Sequence, residues 1–128
     1  MNPFHHSLSS AARYGGSAEE YLEIHDWFDG SKRSWCDPRH RALRHHSEGI
    51  DDCVKLFGYT LEISNGKQIP VRYIGEDHVR EDLGNIPTMK DWFENISMQK
   101  WMFMTMKPKK ETHEKLMHGE FTKLEKSR

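Results

Sequence analysis

Long apolar runs are what this 128-residue chain most plainly lacks. No stretch approaches the roughly 20 residues a membrane-spanning helix needs, and the first residues carry no secretory pattern. A cytoplasmic protein that does not engage a membrane is therefore expected. Cysteine is scarce as well. Cys36 and Cys53 form no CxxC pair, which argues against a disulfide scaffold. Net charge is nearly absent, since 19 Lys and Arg stand against 20 Asp and Glu. That balance gives no overall pull toward nucleic acid. Hydrophobic residues make up only 35 % and mean hydropathy is −0.89, so the core must be lean. No Ser/His/Asp nucleophile set, phosphate-cradling glycine loop or helix-turn-helix signature is visible.

What the chain has in place of these is histidine. Nine are present, seven of them before residue 80. Aromatic residues reach 11 %, with four Trp, which excludes a disordered chain. The length suits one lean-cored domain. Residues 1–106 are read as that domain, and residues 107–128 as a charged extension, helical or partly ordered, around Leu116, Phe121 and Leu124. The extension carries a net +3, which leaves −4 for the first 106 residues.

The densest histidine stretch is DPRHRALRHHSEGI, residues 37–50. Asp37 is a good N-cap and Pro38 suits a first helical turn. Leu43, Ile50, Cys53, Val54 and Phe57 then share a face, so the spacing predicts one central helix over Pro38–Phe57, ended by Gly58 and kinked at Gly49. On that wheel His46 lies inside the apolar stripe, His40 at its edge, and His45 points away. Upstream, Ser17 and Glu20 spell a capping box for a helix to about Asp29, with Tyr21, Leu22, Ile24, His25 and Phe28 on one face. Downstream, residues 59–63 and 69–74 alternate around Asn65-Gly66, a hairpin signal, and Pro70 confines its strand to an edge. A short helix follows over 76–84, and Thr88 caps another anchored by Trp92, Phe93 and Ile96. The expected fold is α+β and mainly helical, built around the central helix with one small hairpin.

Three elements thus present a histidine near an apolar face: His25, His46 (or His40) and His78. Asp29 and Asp82 each follow one of these by four residues, one helical turn on. Imidazole nitrogen and carboxylate oxygen are ligands for zinc and other first-row metals. His25, His46 and His78 are the expected direct ligands of a divalent transition metal, zinc by ligand type. His5 or His6, beside a core Phe4, would complete the shell, and Asp29 and Asp82 would join or orient it. A closed shell would make the domain a binding or interaction protein. An open one would make it a metal-dependent hydrolase of a phosphoester, with Arg39, Arg41 and Arg44 as phosphate or anion contacts. A metal-free network of buried His, Asp and Arg is the third reading. His25-Asp26 also spells the dipeptide of helical metal-dependent phosphohydrolases, but Asp26 lies off the face that carries His25.

The strings IHDWFD, RHRALRHH and EDHVREDLG together resemble a small histidine-rich family of phage and bacterial proteins of unassigned function. In that family an N-terminal histidine, IHxWxD, RHRxxxHH and ExHxxxDxG recur together. The resemblance covers residues 5–96. It implies that His5 or His6, His25, Asp29, His40, His45, His46, His78 and Asp82 belong to one site, and that a phage-encoded copy would work in the host cytoplasm. It implies no activity.

The Met-rich run differs in kind. Trp101, Met102, Phe103, Met104 and Met106 place five large apolar side chains within six residues, too many for one helix face to bury. Met and aromatic residues are favoured where surfaces meet partners. A homo-oligomer or protein partner is expected to cover this segment.

Overall fold

A computed structural model describes residues 1–106 of the chain. The described residues fall into two units, residues 1–96 and residues 97–106. The expectations for residues 107–128 lie outside the described residues.

The first unit is α+β and mainly helical, as its periodicities predict. Its helices are α1 (Pro3–Tyr14), α2 (Glu19–Asp29), α3 (Ser47–Phe57), α4 (Val71–Leu83) and the short α5 (Met89–Phe93). The hairpin is β1 (Thr60–Glu62) paired antiparallel with β2 (Gln68–Pro70), with Leu61 opposite Ile69. Gly66 takes φ +85° in its turn. Helix α1 packs on α2, and α4 touches α1, α2 and α3. Tyr21, Ile24 and Phe28 of α2, Ile50, Cys53 and Val54 of α3, and Val71, Ile74 and Val79 of α4 form the core, closed by Ile63 and Ile69. No helix among the described residues is long and apolar enough to cross a membrane.

Four local expectations need correction. The single helix over Pro38–Phe57 is two pieces, a 3-10 segment (Pro38–Leu43) and α3, separated at Arg44–His46. Asp37 does cap the first piece through the amide of Arg39. His46 caps the second, its Nδ1 accepting from the Gly49 amide at 2.9 Å. Gly49 is therefore a packing position and not a kink: a Cβ there would lie 1.9 Å from the carbonyl oxygen of Arg44. Because the 3-10 turn changes the phase of the wheel, Leu43 is exposed.

The second correction is α4, which starts at Val71 directly after β2 and absorbs Tyr73, Ile74 and Gly75. Gly75 lets α4 approach α2, since a Cβ would meet Phe28 Cζ at 3.1 Å. Third, α1 buries His6, Ser7 and Ser10 and leaves Phe4 and Leu8 exposed. Its inward face is polar. Fourth, Thr88 and Asp91 form the capping box of α5, but only Trp92 of its three apolar anchors is half-buried, while Phe93 and Ile96 are exposed.

In the second unit, Lys100–Met102 forms one 3-10 turn in place of a helix, and Met98, Trp101, Phe103, Met104 and Met106 are exposed.

Candidate metal centre

A buried polar cluster sits where α1, α2, α4 and the Arg44–His46 break meet. His6, His25, His45 and His78 are all fully shielded from solvent or nearly so. Asp82, one turn after His78 on α4, is the hub. Its Oδ1 lies 3.0 Å from His6 Nε2, and its Oδ2 lies 2.9 Å from His45 Nε2 and 3.3 Å from His78 Nε2. Asp29, the last residue of α2, points Oδ1 at His78 Nε2 (3.3 Å) and His45 Nε2 (3.5 Å). The α-amino group of Met1 is 3.2 Å from Asp82 Oδ1.

Around this hub the remaining ring nitrogens have partners of their own. His6 Nδ1 is 2.8 Å from Glu81 Oε1. His78 Nδ1 meets His25 Nδ1 at 2.9 Å, and His25 Nε2 meets Ser10 Oγ at 2.8 Å. The His25 and His78 rings are 22° from coplanar with centroids 5.1 Å apart. That is a head-to-head contact in which the two nitrogens point at one another. His6 stacks on His78 with centroids 3.8 Å apart, so both rings present Nε2 to the same carboxylate.

The electrostatics follow from burial and pairing. Burial raises the Asp82 carboxyl, but hydrogen bonds from His45, His6 and His78 outweigh it and hold the group well below the usual carboxylate range. Asp29 is lowered in the same contest, burial opposing the hydrogen bond and charge of His78. Burial, aided by the charges of His78 and His6, pushes His25 down to about 3. His45 is also lowered, by burial, against the opposing hydrogen bond to Asp82. His78 is raised, because Asp29 and Asp82 more than offset its burial.

Two overlapping groups of ligand atoms lie within 4.8 Å of one another and could hold a metal ion: His6, Asp29, His78 and Asp82, and His6, His25 and His78. The first mixes imidazole with carboxylate, as expected from the sequence. A four-coordinate ion bonded at 2.0–2.1 Å spaces neighbouring donors about 3.3 Å apart. The two His78–carboxylate distances match that edge. In the second group the head-to-head His25–His78 contact leaves no point on which both nitrogens converge.

The sequence-predicted residues divide accordingly. His6, His25, Asp29, His78 and Asp82 come together. His5 is exposed, one position round α1 from the buried His6. His46 is buried but spent elsewhere: Nδ1 caps α3 and Nε2 donates to the Ala42 carbonyl at 3.0 Å. His40 stands at the edge, Nδ1 3.0 Å from Ser31 Oγ and its ring edge-on to His45. Of Arg39, Arg41 and Arg44, only Arg41 reaches the cluster among the described residues, with Nη2 3.7 Å from Asp82 Oδ1. Arg39 pairs with Asp37 and lies over Trp35, while Arg44 lies over Trp27 and donates to its carbonyl. Asp26 is exposed on the far side of α2, so His25-Asp26 is not a ligand pair. The helical wheel pointed His45 away from the apolar stripe although the family resemblance includes it in the site, and Glu81 and Ser10 carried no signal of their own. The adjacent pair His45-His46 was the signal, and the broken helix reversed which of the two turns inward.

These features define a small helical domain with a buried histidine–carboxylate centre. The chain belongs to a family described as a domain of unknown function, DUF6915, whose model matches residues 1–102. The match takes in Trp101 and Met102 and ends before Phe103. No curated protein and no solved structure matches the chain.

Proposed function

We propose that the domain binds one divalent first-row metal ion, zinc by ligand type, through His6 Nε2, His78 Nε2, Asp29 and Asp82. The observation that carries this is the pairing of every proposed ligand with a second polar side chain behind it. Glu81 holds His6 from behind, His25 and Ser10 hold His78, and His45 holds Asp82 and Asp29. Metal-ligating histidines characteristically donate their second N–H in this way, which fixes tautomer and ring direction. With His78 Nε2 on the metal, Nδ1–H donates to His25 Nδ1 and His25 Nε2–H donates to Ser10, so each ring atom is used. His25 thus moves from expected ligand to orienting residue.

Four protein ligands from three helices make a closed shell, which favours a binding or interaction protein clipped together by its metal. Hydrolysis of a phosphoester would instead need an open coordination position for water. The third reading, a metal-free network, uses the same contacts with protons in place of the ion. Elemental analysis of untagged protein separates the metal-bound readings from the metal-free one. One equivalent of metal is expected, lost in His78→Ala and lowered about 10–100-fold in affinity by His25→Gln. Metal-free protein of undiminished stability would overturn the proposal.

A further inference from the structure

Charge is unevenly spread over the first 106 residues. Residues 30–44 hold five of the twelve Lys and Arg found before residue 107, and a single acid, Asp37. That stretch is therefore +4 in a body whose net charge is −4. Two 3-10 segments carry it, Gly30–Arg33 and Pro38–Leu43. Lys32, Arg33 and Arg39 are exposed, and Trp35 between them is 52 % exposed. The Arg39 guanidinium lies over the Trp35 ring, 4.8 Å from its centroid. Asp37 holds it there, accepting from Nε at 3.2 Å and from Nη2 at 2.7 Å, so the Nη1 donors lie outside that pair. The same arginine lines a cavity of about 440 Å³ with Ala42, Trp92, Asn95 and Ile96. Trp92 is fixed in its wall by donating from Nε1 to the His45 carbonyl at 2.9 Å. One arginine thus joins two aromatic surfaces, one open and one recessed.

We propose that this face binds single-stranded nucleic acid. One base stacks on Trp35, its neighbour enters the Trp92 cavity, and the phosphate between them accepts from Arg39 Nη1. Lys32 and Arg33 meet phosphates further along the strand. Aromatic side chains hold bases by their flat faces whatever the sequence, and neighbouring cations track the backbone. A duplex keeps its bases stacked on one another and would offer this face only phosphate, so exposed Trp beside Arg favours the single strand. The acidic remainder of the body confines the attraction to this patch. None of the proposed metal ligands takes part, so the metal reading and this one stand or fall separately.

The test is fluorescence anisotropy of a labelled thymidine oligomer of about 12 nucleotides, within the usual site sizes of such surfaces, titrated with the full-length protein at several salt concentrations. Four proteins are compared: wild type, Trp35→Ala, the double variant Lys32→Gln and Arg33→Gln, and Arg72→Gln. Arg72 is a control, since it pairs with Asp51 on α3, outside the patch. Trp35→Ala should bind about tenfold more weakly with an unchanged salt slope, because a stacking contact is lost and no charge. The double variant should bind more weakly and with a log–log salt slope shallower by roughly 1.4, the share of two single-strand phosphate contacts. Arg72→Gln should match the wild type, and a duplex of the same length should bind at least tenfold more weakly than the single strand. A wild type that ignores the oligomer at low salt overturns the proposal. So does Trp35→Ala binding as tightly as wild type, which would assign the affinity to basic residues elsewhere, those after residue 106 included. A duplex bound as well as the single strand overturns it too, because base stacking would then play no part.

Discussion

His78 has two ring nitrogens, and the fold places different chemistry in front of each. Nε2 faces two carboxylates and Nδ1 faces a second imidazole. The resulting charge pattern makes a pH expectation for the metal-free protein. His25 is near 3 in the folded state and about 6.5 when unfolded, so between those values the unfolded chain binds more protons. Folding stability should therefore fall as pH drops from about 6.5, by up to roughly 1.4 kcal/mol per pH unit for one such group. His45 acts in the same direction. His78, raised, contributes stability that is lost only as pH rises through its folded value, above the usual histidine range. Asp29 and Asp82, lowered, lose theirs only below the usual carboxylate range. A urea midpoint for chelator-treated protein should thus be lower at pH 5 than at pH 7. An equal or higher midpoint at pH 5 would contradict the burial of neutral His25.

At the scale of elements, the Arg44–His46 break determines which histidine serves the site. It is held by the His46 cap and by the absence of a side chain at position 49. Gly49→Ala should destabilise the fold by about 3 kcal/mol, because the intruding methyl meets backbone that cannot swing aside. Gly75→Ala should cost nearer 1 kcal/mol, its contact being the edge of the Phe28 ring. Denaturant melts of the two variants check the order, and the reverse order would mean that the turn is not rigid. The same elements show what the sequence made legible. Turn and cap chemistry is local, so Asn65-Gly66, Asp37 and Thr88-Asp91 were readable from their residues alone. The spacing of His78 and Asp82 was readable too, because both ride one uninterrupted helix. Helix α1 was missed because its buried face is His6, Ser7 and Ser10, and apolar periodicity tracks the exposed Phe4 and Leu8 instead. His46 was preferred to His45 because a 3-10 turn advances about 120° per residue where an α-helix advances 100°, and the break then resets the phase. Asp29 reads as the partner of His25, one turn before it, yet its contact is with His78 across the interface with α4. No local pattern encodes that.

For the whole molecule, the outstanding surface is in the second unit. Met98, Trp101, Phe103, Met104 and Met106 are between 63 % and 80 % exposed, a density of large apolar side chains that a solitary soluble chain seldom presents. Met102, at 39 %, adds to the same short stretch. Flexible Met side chains beside aromatic anchors adapt well to a partner surface. The charge distribution favours a second copy of this chain as that partner. Residues 1–106 carry a net −4 and residues 107–128 a net +3, so two copies of this chain offer each other charge of opposite sign. Self-association through this segment is therefore expected. Light scattering should give twice the chain mass, 30.4 kDa for a 15.2 kDa chain. The double variant Trp101→Ser and Phe103→Ser should shift the protein to monomer while its metal content stays at the wild-type value, since every proposed ligand lies within residues 1–96. Added salt should loosen the dimer less than the double variant does, because the contact is apolar at its centre and charged only at its margins. Wild type that is monomeric at millimolar concentration removes the expectation, and a dimer that survives both substitutions assigns the contact to another face.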